Sequence, residues 1–403
     1  MNREFEGAKI FKAQGQLNRQ SQNTDAYMAL VVYVPAFPAG VEANDIIEAI
    51  QIEDVEQAGI DAAFDANNNV LAHYHAQEFF RLAPDGKLIL ILTDQPTAQA
   101  YFAQGVVSET FKSYSDVKRI GFVYNGEPAG LDLQNEALNA QQWIDAMATD
   151  HYLIDGIYLE GRNLGTAAAN ARDYGADNLH IVIGQDPSIA AIDAAYALYA
   201  AVGSVLGMRA VRNPSENLGS VGLVTYPDAA RGSETYPLTS DLPLRWQKAA
   251  LSDATPFDSL TAAEKQQLTD NGYIYAGSYS NFDGVYFNAE PTCTAIDSDY
   301  AQGENNSIWN TAARGIRKAL LPKVKSKVKV DPATGNIRNT SAKYLETIAR
   351  KPLVEMLGKD LISGFSLQIP LDQSPNDQVP RKVNASVTMD RIVHLIEVTL
   401  GIN

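Results

Sequence analysis

Apolar and polar positions alternate along this chain with two different periods, and the places where the period changes mark its elements. Ala26–Pro35 reads AYMALVVYVP, a β-branched and aromatic run that predicts a strand. The chain then turns through residues 35–44. DIIEAIQIEDVEQAGID fits a strand followed by a short helix, and residues 61–69 read as a loop by composition. From there alternation settles in. LAHYHAQEFFRLAP predicts a helix, and KLILILT a strand buried on both faces. PTAQAYFAQGVVSETF is helical, VKRIGFVYN a strand and LNAQQWIDAMATD a helix; the stretch IDGIYLEG and the helix TAAANARDYG follow. The strand LHIVIGQD and one long helix, SIAAIDAAYALYAAVGSVLG, close the series. Strands and helices at this spacing predict an α/β class, a doubly wound layer with a largely parallel sheet, over residues 26–250.

An α+β domain is expected over residues 251–380. Residues 225–253 are polar and contain prolines, a loop-rich connection with LPLRWQKAAL as a short helix. Leu260, Thr261 and Glu264 give the S/T-x-x-E start of a helix, which Asn271-Gly272 stops. Tyr273–Ala276 and Gly284–Phe287 predict a hairpin with a long loop between them. Further on, Ile308, Ala312, Ile316, Ala319 and Leu320 fall on one helical face, and Arg314, Arg317 and Lys318 on the opposite one. Past Pro322 the period becomes two. Lys323, Lys325, Lys327 and Lys329 alternate with Val324, Ser326, Val328 and Val330, so the lysines would share one face of an extended strand. SAKYLETIARKPLVEMLGKDLI predicts a helix pair or a helix bent at Pro352, and GFSLQIPL a strand.

The two ends differ from this interior. Residues 1–25 are polar, with Phe5, Ile10 and Phe11 as the large apolar anchors, and read as an extended arm. Residues 381–403 read as a strand arm in which Ile392, His394, Ile396, Val398 and Leu400 alternate with residues that are largely apolar too, so it expects cover on both sides. Neither end is well satisfied inside one subunit. Unpaired strands recruit other strands, and a chain that lends its ends to a neighbour makes a head-to-tail contact, which repeats into a ring or a helix.

Charge sharpens the picture at one place. The chain has 403 residues and a net charge of −16, yet residues 314–351 carry eleven Lys/Arg against Asp331 and Glu346, or +9, leaving −25 for the rest. A lysine row can merely guard a sheet edge, and a basic helix face can merely be solvated. Segregation this strong favours docking onto an acidic partner. The acidic balance argues against general nucleic-acid binding. No run reaches the roughly 18 apolar residues of a membrane helix, so membrane insertion is not expected, and the N-terminus has no apolar signal region, which predicts synthesis in the cytoplasm. Cys293, the single cysteine, excludes an internal disulfide framework and reads as a small apolar filler.

Catalytic chemistry is sparse. G-x-G-x-x-G, G-x-x-x-x-G-K-[ST] and G-x-S-x-G are all missing, and no cofactor or metal is expected. His73 and His75 would share a face only on a strand, whereas their segment reads as a helix with surface histidines. Asp94 and Asp186 follow apolar strands, the position of an enzyme's acid, but capping the next helix is the simpler role. Gly203 and Gly207 have the spacing of close helix packing.

The opening of the second domain, with its L-T-x-x-(charged) helix, the hairpin containing GVYF and the arginine-bearing amphipathic helix, resembles the C-terminal half of contractile tail sheath proteins. AAYALYAAVGSVLGMRAVRNPSENLGSVG resembles their small-residue helix and the turn after it, GQLNRQSQNTDAYMALVVYVP their first strand and VNASVTMDRIVHLIEVTL their last. The arginine-threonine element usual in the hairpin region is absent, NAEPTC standing in its place. The resemblance implies a structural subunit, not an enzyme, that stacks as rings around an acidic inner tube in a phage tail or contractile injection particle, with baseplate and terminator proteins at its ends. It implies tube contacts from Arg314, Arg317, Lys318, Lys323, Lys325 and Lys327, and strand exchange through both arms. A terminator or cap of the same particle, and an α/β enzyme with a carboxylate site, are the other readings of these residues.

Overall fold

The computed structural model of the chain describes residues 26–126, 131–223, 235–373, 382–390 and 392. In order, the first part holds β1 (Tyr27–Tyr33), β2 (Ile46–Ala49), α1 (Ile52–Gln57), α2 (Ala62–Asn68), α3 (Ala72–Leu82), β3 (Lys87–Thr93), α4 (Ala98–Phe102), α5 (Gly105–Ser113), β4 (Arg119–Val123), α6 (Leu133–Thr149), β5 (Gly156–Glu160) and β6 (Leu179–Val182). There follow β7 (Gly184–Gln185), α7 (Pro187–Ala190), α8 (Val202–Ala210), β8 (Ser240–Asp241), β9 (Leu244–Arg245), β10 (Ala250–Leu251), α9 (Ala262–Asp270), β11 (Tyr273–Ile274), β12 (Ala276–Tyr279) and β13 (Phe282–Phe287). The last are α10 (Gly303–Leu320), α11 (Asn339–Gly358), β14 (Gly364–Gln368) and β15 (Asn384–Thr388).

The central sheet has the order β11-β6-β5-β4-β1-β3-β2 and is parallel throughout except where β2 joins β3. In β1 and β3 the side-chain period of two divides the apolar runs between two cores. Met28, Leu30, Val32, Leu88, Leu90 and Leu92 pack with α3 and α8, and Ala29, Val31, Ile89 and Ile91 with Phe102, Phe111 and Trp143 of α4 to α6. Both faces are covered, which is why these strands are apolar at nearly every position. Each such Leu or Ile contributes about 1.5–3 kcal/mol by leaving water. On the first side, α8 crosses α3 at backbone contact: a Cβ at Gly203 would overlap the carbonyl of His75, and one at Gly207 would sit 3.0 Å from that of Phe79.

Leu251, Leu260, Leu268, Tyr273 and Cys293 belong to the second of these cores, so the expected division at residue 250 runs through packed interior. Packing partners change only beyond Thr294. There Ile308 and Ala312 of α10 join Ala349, Leu353 and Met356 of α11 and Leu367 of β14 in a separate cluster.

Several local expectations fail for identifiable reasons. Residues 62–68 are helical, because Asp61 accepts the Phe64 N–H at 2.8 Å and Asn69 ends the turn at φ 54°. The expected helix at 166–175 is reduced to a 3₁₀ turn, Ala171–Tyr174. The long helix at 188–207 breaks into α7, a 3₁₀ turn and α8, since Asp186 and Asp193 each cap a new start and the N–H of Ala201 turns to Gly184 O at 2.8 Å. LPLRWQKAAL forms β9, β10 and the chain between them instead of a helix, with Trp246 fully buried. Tyr273 and Ile274 leave the hairpin for the central sheet, and β12 and β13 close through a tight turn with Asn281 at φ 60°. The lysine row forms no strand: Leu321–Lys323 is a 3₁₀ turn, Lys325 has φ 62°, and Val330 makes only a single bridge to Ile337. α11 continues through Pro352 as one helix.

Candidate functional site

The amphipathic helix α10 has three faces in the structure, where the sequence pattern offered two. Its apolar face, with Ile316 and Leu320 at the margin, meets α11, and Gly315 permits this approach: a Cβ there would lie 2.8 Å from the Pro352 Cβ. A polar face docks on the α/β core. Asn306 Nδ2 donates to Asp177 O at 2.6 Å, and Asn310 Nδ2 donates to Asp155 Oδ1 at 2.9 Å and to Ile154 O at 3.1 Å. Arg119, buried in β4, donates to Ser307 Oγ at 2.6 Å. The third face is open to solvent.

This arrangement divides the six cations expected to meet a partner. Arg314 turns inward, its Nη1 2.9 Å from Asp155 Oδ1 and 3.1 Å from Leu153 O, with 26% of its side chain exposed. It is a structural residue, a correction to its expected place beside the other two. Arg317 and Lys318 are exposed at the C-terminal end of the helix, where cations also complement the helix dipole. Lys323 is half-buried over the Tyr344 ring at 5.4 Å, while Lys325 and Lys327 are exposed on the irregular segment that replaces the expected strand.

β14 and β15 pair in antiparallel fashion, Phe365 opposite Val387, and among the described residues they pair with no other strand. α11 holds β14 by side-chain bonds: Glu346 accepts the Ile369 N–H at 2.9 Å and Arg350 donates to Leu367 O at 3.0 Å. Ile392 is half-buried. Phe5, Ile10, Phe11, His394, Ile396, Val398 and Leu400 lie outside the described residues.

The residues considered for chemistry are all spent on structure. His73 and His75 are buried, not on the surface: His73 Nε2 meets Glu56 at 3.1 Å, and His75 Nδ1 accepts the Gly203 N–H at 3.2 Å. Burial, with the Arg162 charge nearby, pushes the His75 pKa down to about 3. Asp186 caps α7 through the Ser188 N–H at 2.9 Å and also accepts the Trp246 N–H at 2.8 Å. Asp94 is engaged by the Gln95 side chain, and the cap of α4 is Thr97. Cys293 is a buried filler whose thiol burial pushes up to about 12. Among the described residues no group of three or more His, Cys, Asp or Glu could hold a metal ion, and no helix is long and apolar enough to cross a membrane.

The charged groups that sequence reasoning passed over are buried ones, among them Arg119, Asp155, Glu160, Arg209, Glu290 and Glu304. Arg119 and Glu160 interrupt otherwise apolar strand runs, which is the signal that could have found them, since a buried charge requires a partner.

A family model described as the C-terminal domain of DUF2586 matches residues 299–403, about a quarter of the chain. No curated protein matches. Solved structures match over the whole length. The anti-feeding prophage (AFP) helical sheath in its contracted state shares 12% identity at a TM-score of 0.63, covering 99% of each chain. The PVC sheath complex of an extracellular contractile injection system, contracted, shares 10% at 0.59, covering 100% of this chain and 98% of that one. A sheath tail protein from Desulfitobacterium hafniense shares 11% at 0.52, covering 95% and 100%. The fold is that of contractile sheath proteins.

Proposed function

We propose that this chain is the repeating subunit of a contractile sheath, made in the cytoplasm and assembled as stacked rings around an inner tube that the shortening sleeve drives through a target envelope. The observation that carries this reading is the end-to-end correspondence with the AFP sheath, 99% of each chain at a TM-score of 0.63. In this reading the doubly wound α/β layer faces outward, and α10, α11 and the β14–β15 hairpin face the tube. Arg317 and Lys318, with Lys325 and Lys327 beside them, bind an acidic tube surface. Exposed ion pairs give about 0–1 kcal/mol each, weak enough to be released during contraction. Exposed apolar side chains on the same unit, Trp309, Leu321, Val324, Tyr344, Val354 and Leu357, are the further material of subunit contacts.

β15 lies within the expected C-terminal arm and pairs inside its own chain with β14, so the hairpin supplies open strand edges, and residues 1–25 and the part of the C-terminal arm beyond β15 supply strands to fill them in neighbouring copies. Baseplate and terminator proteins close the two ends of the stack. Contraction consumes no nucleotide, because the extended sleeve is a trapped state whose free energy was stored at assembly.

Negative-stain microscopy of the full-length chain with a tube protein tests this. Hollow cylinders around tubes are expected, and Arg317→Glu with Lys318→Glu should leave the fold intact while tubes stay bare. Closed rings alone would point to a terminator or cap. Isolated globules under every condition would overturn the proposal, and tubes still decorated by the double variant would remove the role of those two cations.

A further inference from the structure

Two buried carboxylates meet where α10 docks on the α/β core. Glu304 lies in the first turn of α10 and Glu290 in the segment after β13, and a Cβ added at Gly303 would come within 2.6 Å of the Glu290 carboxyl carbon. The cations around them are already committed. Arg209 of α8 donates to the carbonyls of Glu216 at 2.8 Å and Asn213 at 2.9 Å, and its Nε lies 3.4 Å from Glu290 Oε2 without hydrogen-bond geometry. Arg212 donates to the carbonyls of Asn217, Met208 and Ser220. Arg119 of β4 faces Asp155 and Ser307.

The neutral groups are few. From β5 the Tyr158 hydroxyl donates to Glu290 Oε1, and from β6 His180 stacks on Tyr158 with its Nδ1 on Pro291 O at 2.8 Å. Burial holds the His180 pKa below its ordinary value, so it is uncharged near neutrality. Glu304 has one side-chain donor, Asn217 Nδ2 at 3.1 Å, beside its own backbone N–H, and both Glu304 Oε2 and Glu290 Oε2 are buried without a hydrogen bond. Acceptors outnumber donors here, and two negative charges would have to share the space. A proton on Glu304 corrects both faults.

We propose that α10 is docked by a proton: with Glu304 neutral the helix stays seated on the core, and ionisation of Glu304 lifts its first turn and loosens the grip that Asn306, Ser307 and Asn310 extend along the same face. Burial, with the Glu290 charge behind it, pushes the docked Glu304 carboxyl up to about 7. For Glu290 burial acts the same way but is outweighed by Arg209 and its neighbours, which hold that carboxyl below its ordinary range. In the lifted helix Glu304 meets water and returns to its ordinary 4.5. A carboxyl raised in the docked state favours docking fully below that ordinary value, and the preference is lost as pH rises through about 7. The device belongs to the single chain and does not depend on assembly.

Hydrogen exchange of the full-length chain, corrected for the intrinsic pH dependence of exchange, tests it on peptides covering residues 303–314. The opening equilibrium of this segment should rise roughly tenfold between pH 6 and 8. Glu304→Gln, a permanently neutral side chain, should show equal protection at both. A wild-type opening that ignores pH, or the same rise in Glu304→Gln, overturns the proposal. Should that variant not fold, Asn217→Ala decides: losing the one side-chain donor to Glu304 must move the midpoint upward, and an unmoved midpoint is equally fatal.

Discussion

Asp155 is the residue on which the docking of α10 turns, and replacing it by asparagine gives the sharpest test of that geometry. Its side chain is 1% exposed, and both of its oxygens are engaged. Oδ1 accepts from Arg314 Nη1 at 2.9 Å and from Asn310 at 2.9 Å, while Oδ2 accepts from Arg314 Nη2 at 3.5 Å and lies 3.5 Å from Arg119 Nη2. Asparagine can keep one oxygen toward α10 but then turns an amide N–H toward the guanidinium of Arg119, itself 2% exposed. Breaking a buried pair by removing one partner costs about 3–5 kcal/mol. The Arg314 share must be discounted because water reaches that side chain, to about 1 kcal/mol or less. A loss of about 3 kcal/mol is therefore expected for Asp155→Asn, and about 1 kcal/mol for Arg314→Met, which keeps the packed stem. Urea unfolding followed by circular dichroism, with hydrogen exchange of α10 to localise the opening, measures both. If Asp155→Asn costs less than about 0.5 kcal/mol, the range of ordinary surface changes, Asp155 does not hold the junction and Arg314 regains its claim to be a surface cation.

Two other outcomes follow from equally local geometry. Gly315→Ala places a methyl group 2.8 Å from the Pro352 Cβ, so α10 and α11 must separate; a cost of about 1–3 kcal/mol in thermal unfolding is expected, and an unchanged melting curve would show that the helices have slack. His75 titrates near 3 when folded and near 6.5 when unfolded, so stability should fall as pH drops from about 6.5 toward 3. His75→Asn, whose side-chain oxygen can take the Gly203 N–H, should flatten that acid slope in urea midpoints measured at pH 6.5 and 4.5, and an undiminished slope would place the titrating group elsewhere.

The central sheet was legible because strands apolar on both faces can belong only to a covered layer, and β1, β3 and β4 are such runs. The start of α9 was legible as well: Thr261 and Glu264 form the reciprocal cap their spacing predicts. What failed depended on contacts distant in sequence. An alanine-rich run carries no signal strong enough to resist Glu160, whose carboxylate takes the Ala200 N–H at 3.1 Å and helps hold the chain extended before α8. Helical periodicity put Arg314 with Arg317 and Lys318, but a third face of α10 existed only because Asp155, far away in the chain, stands opposite it. The lysine alternation after Pro322 had the period of a strand and no partner to pair with, and Lys325 took up a positive φ instead. Of the expected assembly residues, the six cations and Ile392 are the ones whose surroundings the fold now defines.

The crossing of α8 over α3 has a mechanical meaning. Where Gly203 touches the His75 carbonyl, force passes from one main chain to the other with no side chain between them that could change rotamer and absorb it. That flank of the sheet is a stiff beam, so any large displacement within the chain has to be accommodated elsewhere, at joints lined by side chains.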